Sequence, residues 1–126
     1  MVVREVISQL SPKLPAGYDE YIEGFELTNV ATGEQASALS LTKPGIILIK
    51  DVFVYCAGMQ INGYFKIARG TTGSNVDLCG NIYWNAATFI SFDHLVASNL
   101  GVVFKIDHAA GSNQTVYVVV KYYYET

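Results

Sequence analysis

The chain has 126 residues, of which 51% are hydrophobic and 15% are charged, and its formal net charge is −3. This length gives one domain, and the hydrophobic content excludes a disordered chain. The longest aliphatic run, residues 46–49, is far shorter than the roughly 20 residues that cross a bilayer, and the sequence has no lysine or arginine run of the kind that binds nucleic acid. Because so few charges leave much uncharged surface on a small domain, we expect a homo-oligomer or assembly component.

Residues 1–20 are predicted to form an extended arm that precedes a β domain spanning residues 21–126. Pro12 and Pro15 prevent helix continuation and favour extended backbone. The apolar residues before them fit one side of a short helix as well as alternate positions of a strand; they are Val2, Val3, Val6 and Ile7. The N-terminus lacks the basic start and apolar core of a secretion signal, so we expect synthesis and retention in the cytoplasm.

The domain is predicted to consist of short strands separated by turn residues. Residues 46–56 form the strongest strand candidate, because β-branched and aromatic side chains favour a pleated, largely buried segment. Residues 69–75 are predicted to form a hairpin loop, in which Gly70 and Gly73 permit positive φ. With no convincing amphipathic helix, the pattern predicts an all-β, antiparallel β-sandwich. A jelly roll is preferred, with a barrel or an immunoglobulin-like sandwich as alternatives.

Candidate catalytic and metal-binding residues are few. The pairs Asp93–His94 and Asp107–His108 combine an acid with an imidazole, but neighbours along a strand point to opposite faces, so we expect turn or surface roles. Ser74 lacks the flanking glycines and the strand-to-helix context of a hydrolase nucleophile. We therefore predict a protein that is not an enzyme, with no catalytic residue, no metal and no cofactor.

The two cysteines, Cys56 and Cys79, are 23 positions apart. This spacing fits neither a disulfide scaffold nor a CxxC metal or redox motif. Free cysteine behaves as a small hydrophobe, so buried thiols in strands are predicted, and a disulfide is the alternative.

The last strand candidate, residues 115–124, is apolar or amphipathic on both faces. Alternation places Val116, Val118, Val120, Tyr122 and Tyr124 on one face and Thr115, Tyr117, Val119, Lys121 and Tyr123 on the other. Such a strand must be covered on both sides, which we assign to packing against another subunit, with packing inside the chain and sugar stacking as alternatives. The predicted subunit or capsid contacts in this strand are Tyr117, Tyr122, Tyr123 and Tyr124.

Four segments carry a resemblance to a known group of proteins: Ile46-Ile-Leu-Ile-Lys-Asp-Val-Phe-Val, Gly63-Tyr-Phe-Lys-Ile-Ala-Arg-Gly-Thr, Asp77-Leu-Cys-Gly and Gln114-Thr-Val-Tyr-Val-Val-Val-Lys. In this pattern of strands and turns, about two-thirds of the chain resembles the small β proteins that decorate or cement the heads of tailed bacteriophages. The resemblance implies a non-enzymatic, homotrimeric jelly roll on the virion surface, with the major capsid protein as its partner. It also implies that an arm reaches neighbouring subunits through Val2, Val3, Val6, Ile7, Leu10 and Leu14.

A second hypothesis is a receptor- or carbohydrate-binding β module of a phage fibre or tail. Aromatic rings offer flat apolar faces to sugars, and Tyr83 and Trp84 are adjacent near a predicted loop. In this hypothesis these two rings form the ligand platform.

Overall fold

The computed structural model describes residues 16–56, 63–83, 87–98 and 101–126, with backbone only for residues 93–96. Within these ranges the chain is all β, and no helix is long and apolar enough to cross a membrane. The strands are β1 (Tyr18–Val30), β2 (Gly33–Leu39), β3 (Ile46–Tyr55), β4 (Tyr64–Gly70), β5 (Asn75–Asp77), β6 (Ile82–Tyr83), β7 (Ala87–Ser98), β8 (Val102–His108) and β9 (Gln114–Glu125).

The strands form two antiparallel sheets that pack face to face. Sheet A has the order β1-β9-β3-β7 and sheet B the order β2-β8-β4-β5. The short strands β5 and β6 pair with opposite ends of β4 and together complete the fourth position of sheet B. From β1 to β4 and from β7 to β9, consecutive strands alternate between the sheets, which is the connectivity of a jelly roll. The predicted all-β sandwich with jelly-roll topology is confirmed.

The hydrophobic core lies between the two sheets. Val52 and Val54 from β3 and Val118 from β9 are fully buried, and they pack in one cluster with the aromatic side chains of sheet B. The Phe65 and Phe104 rings lie 5.5 Å apart between their centroids. On either side of the irregularity in β3, every second side chain of β3 and β9 enters this core, as pleated strands require.

A β-bulge at Lys50 keeps β3 in register with the core. The pairing of β3 with both neighbours shifts between Ile49 and Asp51. The extra residue allows Ile49 and Val52, three positions apart, both to point inward with no exposed surface. The Lys50 ammonium donates a hydrogen bond to the Phe92 carbonyl of β7 at 3.4 Å.

The hairpin between β4 and β5 depends on one glycine. Gly70 has φ +121°, and a Cβ there would lie 2.4 Å from the Ser74 carbonyl oxygen. The Thr71 amide donates to that same oxygen at 2.8 Å, and the Gly70 amide donates to the Gly101 carbonyl at 2.7 Å. The predicted hairpin is confirmed, whereas Gly73 is not among the residues with positive φ.

The structure describes the end of the predicted arm and the surroundings of both cysteines. Residues 1–15 of the predicted arm lie outside the described residues, and β1 begins at Tyr18, inside the range assigned to the arm. Neither cysteine is in a disulfide, but the prediction that both lie in strands is wrong: Cys56 is buried directly after β3, and Cys79 is half-buried in the loop that follows β5. Burial raises the pKa of the Cys79 thiol.

Candidate interaction surfaces

The outward surface of sheet A carries a group of exposed apolar side chains, which we call the apolar face. Its members come from all four strands of the sheet, and each is 37–62% exposed. They are Ile22, Phe53, Tyr55, Phe89, Tyr117 and Val119.

Strand register brings these residues together. Val119 of β9 lies opposite Gly24 on one side and Phe53 on the other, and Phe53 lies opposite Phe89 of β7. One row of the sheet is therefore apolar from edge to edge. The next row places Tyr117 opposite Tyr55, with ring centroids 6.2 Å apart. The apolar face is contiguous because directly paired residues point to the same side of a sheet.

Two pairs of polar side chains border one end of the apolar face, and Glu26 lies opposite Tyr117 at the other end. Lys121 lies 3.5 Å from Glu20, and the Ser91 hydroxyl donates to Asp51 at 2.6 Å. These pairs lie at the end of the face that carries Ile22, whose register partner is Lys121. The centre of the face therefore offers apolar contact, and the charges along this border are satisfied without a partner molecule.

The outward surface of sheet B has the opposite character. Lys66 and Lys105 lie directly opposite each other, and Asp77 bridges them at 3.1 and 2.8 Å. Lys66 also lies 3.6 Å from Glu34, which accepts a hydrogen bond from the Tyr64 hydroxyl. The hydrogen bond from Lys105, reinforced by Lys66, lowers the pKa of Asp77, and the bond from Tyr64 lowers the pKa of Glu34. We call this cluster the ion network.

The predicted contact residues of β9 fall into two groups. Tyr117 belongs to the apolar face and is 43% exposed. The prediction that Tyr122 contacts another subunit is wrong, because its ring is fully buried in the core of its own chain. Tyr123 points outward but is only 3% exposed, so it too has almost no surface to offer, and the half-buried Tyr124 ring packs under the Lys43 ammonium.

Tyr122 has a structural role at the edge of the core. Its hydroxyl donates to Glu23 of β1 at 2.9 Å and accepts the Lys43 amide hydrogen at 3.3 Å. Glu23 also accepts hydrogen bonds from the amide and hydroxyl of Thr42, at 2.9 Å each. Burial raises the pKa of Tyr122 well above the ordinary tyrosine range. This network ties the β2–β3 connection to sheet A.

The two acid–imidazole pairs do not form a metal site among the described residues. His108 is fully buried rather than at the surface, which corrects that expectation: its Nε2 lies 2.8 Å from the Val30 carbonyl oxygen and its Nδ1 accepts the Ala110 amide hydrogen at 3.2 Å. Both ring nitrogens are thus used within the fold. The His94 side chain lies outside the described part, and no group of three ligating side chains occurs in the rest.

Two other sets of predicted site residues are only partly described. Tyr83 is 64% exposed, and its ring packs edge-on against Tyr64 at 5.9 Å, whereas Trp84 lies outside the described residues. The predicted arm contacts also lie outside them; they are Val2, Val3, Val6, Ile7, Leu10 and Leu14.

Sequence analysis missed most of the apolar face. It identified Tyr117 but not Phe53 or Phe89, although a signal was present. Residues 46–56 are apolar at both odd and even positions, as expected of a strand covered on both sides. The same two-sided criterion that we applied to the last strand would have identified Phe53 and Tyr55.

The chain is similar in fold to viral capsid and coat proteins. No protein-family model matches it, and no curated protein is similar to it in sequence. Among solved structures, the capsid of Ralstonia phage GP4 matches with a TM-score of 0.54 and 12% identity, over 92% of both chains. The coat protein of Tobacco streak virus matches with a TM-score of 0.51 and 10% identity, over 92% of this chain and 91% of that one.

A third solved structure, the STIV MCP, matches with a TM-score of 0.55 and 14% identity over 86% of this chain. The match covers 42% of the STIV protein, so this chain spans less than half of that protein's length. At such identities the likeness shows the fold alone. The chain is a jelly-roll β-sandwich of the type found in viral capsid and coat proteins.

Proposed function

We propose that this protein is a structural, non-enzymatic component of a virus particle, which binds the outer surface of a phage capsid and decorates or cements neighbouring capsomers. The observation that carries the proposal is the apolar face, an exposed hydrophobic surface on a fold shared with capsid and coat proteins. Exposed apolar patches of this kind are typical of surfaces that bind other proteins.

The contrast between the two sheets indicates which side docks. The apolar face leaves hydrophobic side chains exposed to water, while the charges of the ion network pair with one another. Binding through sheet A removes apolar surface from water without breaking an ion pair, whereas binding through sheet B would desolvate lysines and carboxylates. Sheet A is therefore the side that faces the shell.

The size of the apolar face favours attachment through several copies. Four strands about 4.8 Å apart and two apolar rows about 6.7 Å apart, with Ile22 beside them, give an area of roughly 300 Å². A standard protein interface buries about 800 Å² on each partner. One such face gives weak attachment, and linking copies raises their effective concentration on the shell. We accordingly assign the protein as a homotrimer bound to the major capsid protein.

The N-terminal segment supplies a further contact in this proposal. Residues 1–17 contain six valine, isoleucine and leucine side chains, which reach a neighbouring subunit or capsomer once the protein is on the shell; they are Val2, Val3, Val6, Ile7, Leu10 and Leu14. The protein is made in the host cytoplasm and ends on the virion surface.

Co-sedimentation with capsids assembled without this protein tests the proposal. Phe53→Ser and Phe89→Ser should each reduce capsid occupancy, and the double variant should reduce it further. Tyr83→Ser is the matched control, since Tyr83 is an equally exposed aromatic residue on the other sheet. Phe89 is 62% exposed, so its replacement should change the stability by no more than about 0.5 kcal/mol. Full occupancy by the folded double variant would overturn the proposed docking side.

A receptor- or carbohydrate-binding module is the second candidate function, and the exposed Tyr83 ring packed against the half-buried Tyr64 favours it. A glycan array separates the two functions. Binding that is lost in Tyr83→Ala and retained in Phe89→Ser would support the module and count against the capsid proposal.

A further inference from the structure

A pocket of about 670 Å³ lies at the end of the sandwich where the β4–β5 hairpin meets the start of β3 and the end of β7. Its size is within the range of about 300–1,000 Å³ that is common for binding sites. Among the described residues that line it, three have apolar side chains larger than glycine, namely Ile46, Val76 and Ala97. Ile46 and Val76 are 47% and 59% exposed, so the pocket has apolar surface to bury.

The wall of this pocket is held in place before any ligand arrives. Residues 70–75 form the β4–β5 hairpin, whose ends are closed by the hydrogen bond from the Thr71 amide to the Ser74 carbonyl. The Asn75 side-chain amide donates to the Thr71 carbonyl at 2.8 Å. Gly70 is joined to Gly101 across the base of the hairpin. A preformed wall lowers the entropic cost of binding.

Arg69 gives the pocket its charge preference. It lines the pocket, and among the described basic side chains it alone has no recorded carboxylate, carbonyl or ring partner. A guanidinium at the rim of an apolar pocket matches a ligand that carries a carboxylate beside aliphatic groups. The pocket is open to solvent along one side, which suits an extended chain segment better than an enclosed small molecule.

The chain itself contains a segment of this chemistry. Glu5 is the only acid among residues 1–17, and in an extended segment it shares one side with Val3 and Ile7. Arg4 and Val6 then point to the other side, so Glu5 is presented together with two aliphatic side chains. The pocket has the complementary pattern of Arg69 beside Ile46 and Val76.

The segment also starts at the right end of the molecule. Tyr18 pairs with Glu125, Ile47 with Tyr124 and Ile46 with Ser98, so β1 begins at the end of sheet A that contains the pocket. Three strand spacings, or about 14 Å, separate β1 from β7. The eleven residues from 7 to 18 extend to roughly 36 Å. The connection is therefore long enough for residues 3–7 to span the distance to the pocket of their own chain.

We propose that Val3, Glu5 and Ile7 occupy this pocket in the free protein, with the Glu5 carboxylate on the Arg69 guanidinium. This inference goes beyond the proposed function, because it concerns the protein before it meets a shell. Docking within one chain is favoured over docking between chains, since the short connection keeps the segment at high local concentration. On the shell, the same segment exchanges its own pocket for a neighbouring molecule.

Paramagnetic relaxation in the full-length protein tests the proposal. A nitroxide is attached at Ser8→Cys in a Cys79→Ser background, in which the remaining Cys56 is fully buried. The expected result is loss of the methyl signals of Ile46 and Val76. A nitroxide at Ser112→Cys, in the β8–β9 connection at the opposite end, should leave these signals intact. Dilution into an excess of unlabelled protein should not restore them, because the contact lies within one chain.

Charge variants decide whether Arg69 and Glu5 make the contact. Arg69→Gln and Glu5→Gln should each restore the methyl signals, and combining Arg69→Glu with Glu5→Lys should remove them again. Lys121→Gln is the matched control, since it deletes a cation from sheet A away from the pocket.

Signals that persist beside the nitroxide, or broadening unchanged in Arg69→Gln, would overturn the proposal. Recovery on dilution would overturn it in favour of docking on a second copy. The methyl spectrum reports folding in every variant, and no capsid is involved, so the outcome is independent of the co-sedimentation experiment.

Discussion

The Tyr122 hydroxyl donates a hydrogen bond of 2.9 Å to Glu23, a residue 99 positions earlier in the chain. The bond joins the neighbouring strands β9 and β1, and it extends to the β2–β3 connection because Glu23 also accepts from Thr42. A ring that looks like an exposed contact in the sequence thus closes one end of the core.

Replacing Tyr122 with phenylalanine should lower the free energy of unfolding by about 1–2 kcal/mol. The ring still fills its place, but Glu23 loses a donor and the Lys43 amide loses an acceptor. Urea denaturation measures the change. Tyr117→Phe is the control, since Tyr117 is exposed and its hydroxyl has no recorded partner. Equal effects in the two variants would show that the Tyr122 network contributes no stability.

Alkaline pH should destabilise the protein through the same residue. Burial raises the pKa of Tyr122 in the folded state. Tyr122 therefore contributes fully to the free energy of unfolding below pH of about 10, the pKa of tyrosine in an unfolded chain. Above that pH the contribution is lost progressively, because the unfolded chain releases the proton while the folded protein retains it. Urea midpoints between neutral pH and pH of about 11 should fall less in Tyr122→Phe than in the wild type, and tyrosinate absorbance should show when the buried ring ionises. Parallel curves would contradict the assignment.

Gly70→Ala should destabilise the protein by about 1–3 kcal/mol or more, because the positive φ disfavours alanine and the new Cβ meets the Ser74 carbonyl oxygen. Gly73→Ala is the matched control in the same hairpin. A Cβ at Gly73 meets nothing within 4 Å and the φ is not positive, so its effect should stay within about 0.5 kcal/mol. Thermal and urea denaturation of both variants give the comparison, and similar losses would place the strain elsewhere.

Acid should weaken sheet B. Hydrogen bonds from Lys105 and Lys66 lower the pKa of Asp77, and the bond from Tyr64 lowers the pKa of Glu34. A carboxylate with a depressed pKa stabilises the fold above its unfolded pKa of about 4, and this contribution disappears as pH falls through the folded value. The urea midpoint should drop below pH of about 4, and Asp77→Asn should reduce both that drop and the stability at neutral pH. An unchanged acid profile in Asp77→Asn would show that the ion network is fully screened by solvent.

Light scattering after size exclusion measures the solution mass. The proposed function predicts a trimer of 13.8 kDa chains whose mass persists across a concentration series. A monomer at all concentrations would contradict the trimer and leave the shell itself as the template for association.

The strands were predictable because their signal is local. Residues 46–56 and 115–124 combine β-branched side chains with alternation, which specifies an extended segment whatever its neighbours are. Strand order was not predictable, because the pairings of β1 with β9 and of β2 with β8 join residues far apart in sequence. The prediction that Tyr122 contacts another subunit was wrong because both faces of the last strand are apolar, and alternation alone does not say which face enters the core.

The low overall charge of the surface was predictable from the sequence, but the positions of its apolar residues were not. A low charge content indicated uncharged surface somewhere, yet the position of Phe53 beside Val119 follows from the register of β3 against β9. The inward position of His108 was also missed, because its Val30 partner is 78 residues away. Residues that come together only when distant strands pair have no characteristic spacing in the sequence.

The ion network determines what a layer of these molecules would show to water if sheet A were turned toward a support. Each copy would present two carboxylates, Glu34 and Asp77, paired with two largely buried lysines, Lys66 and Lys105. Their charges cancel at neutral pH. Because Asp107 lies opposite Glu34 on the same surface, a particle coated in this way would present closely paired charges to water with a small excess of negative charge.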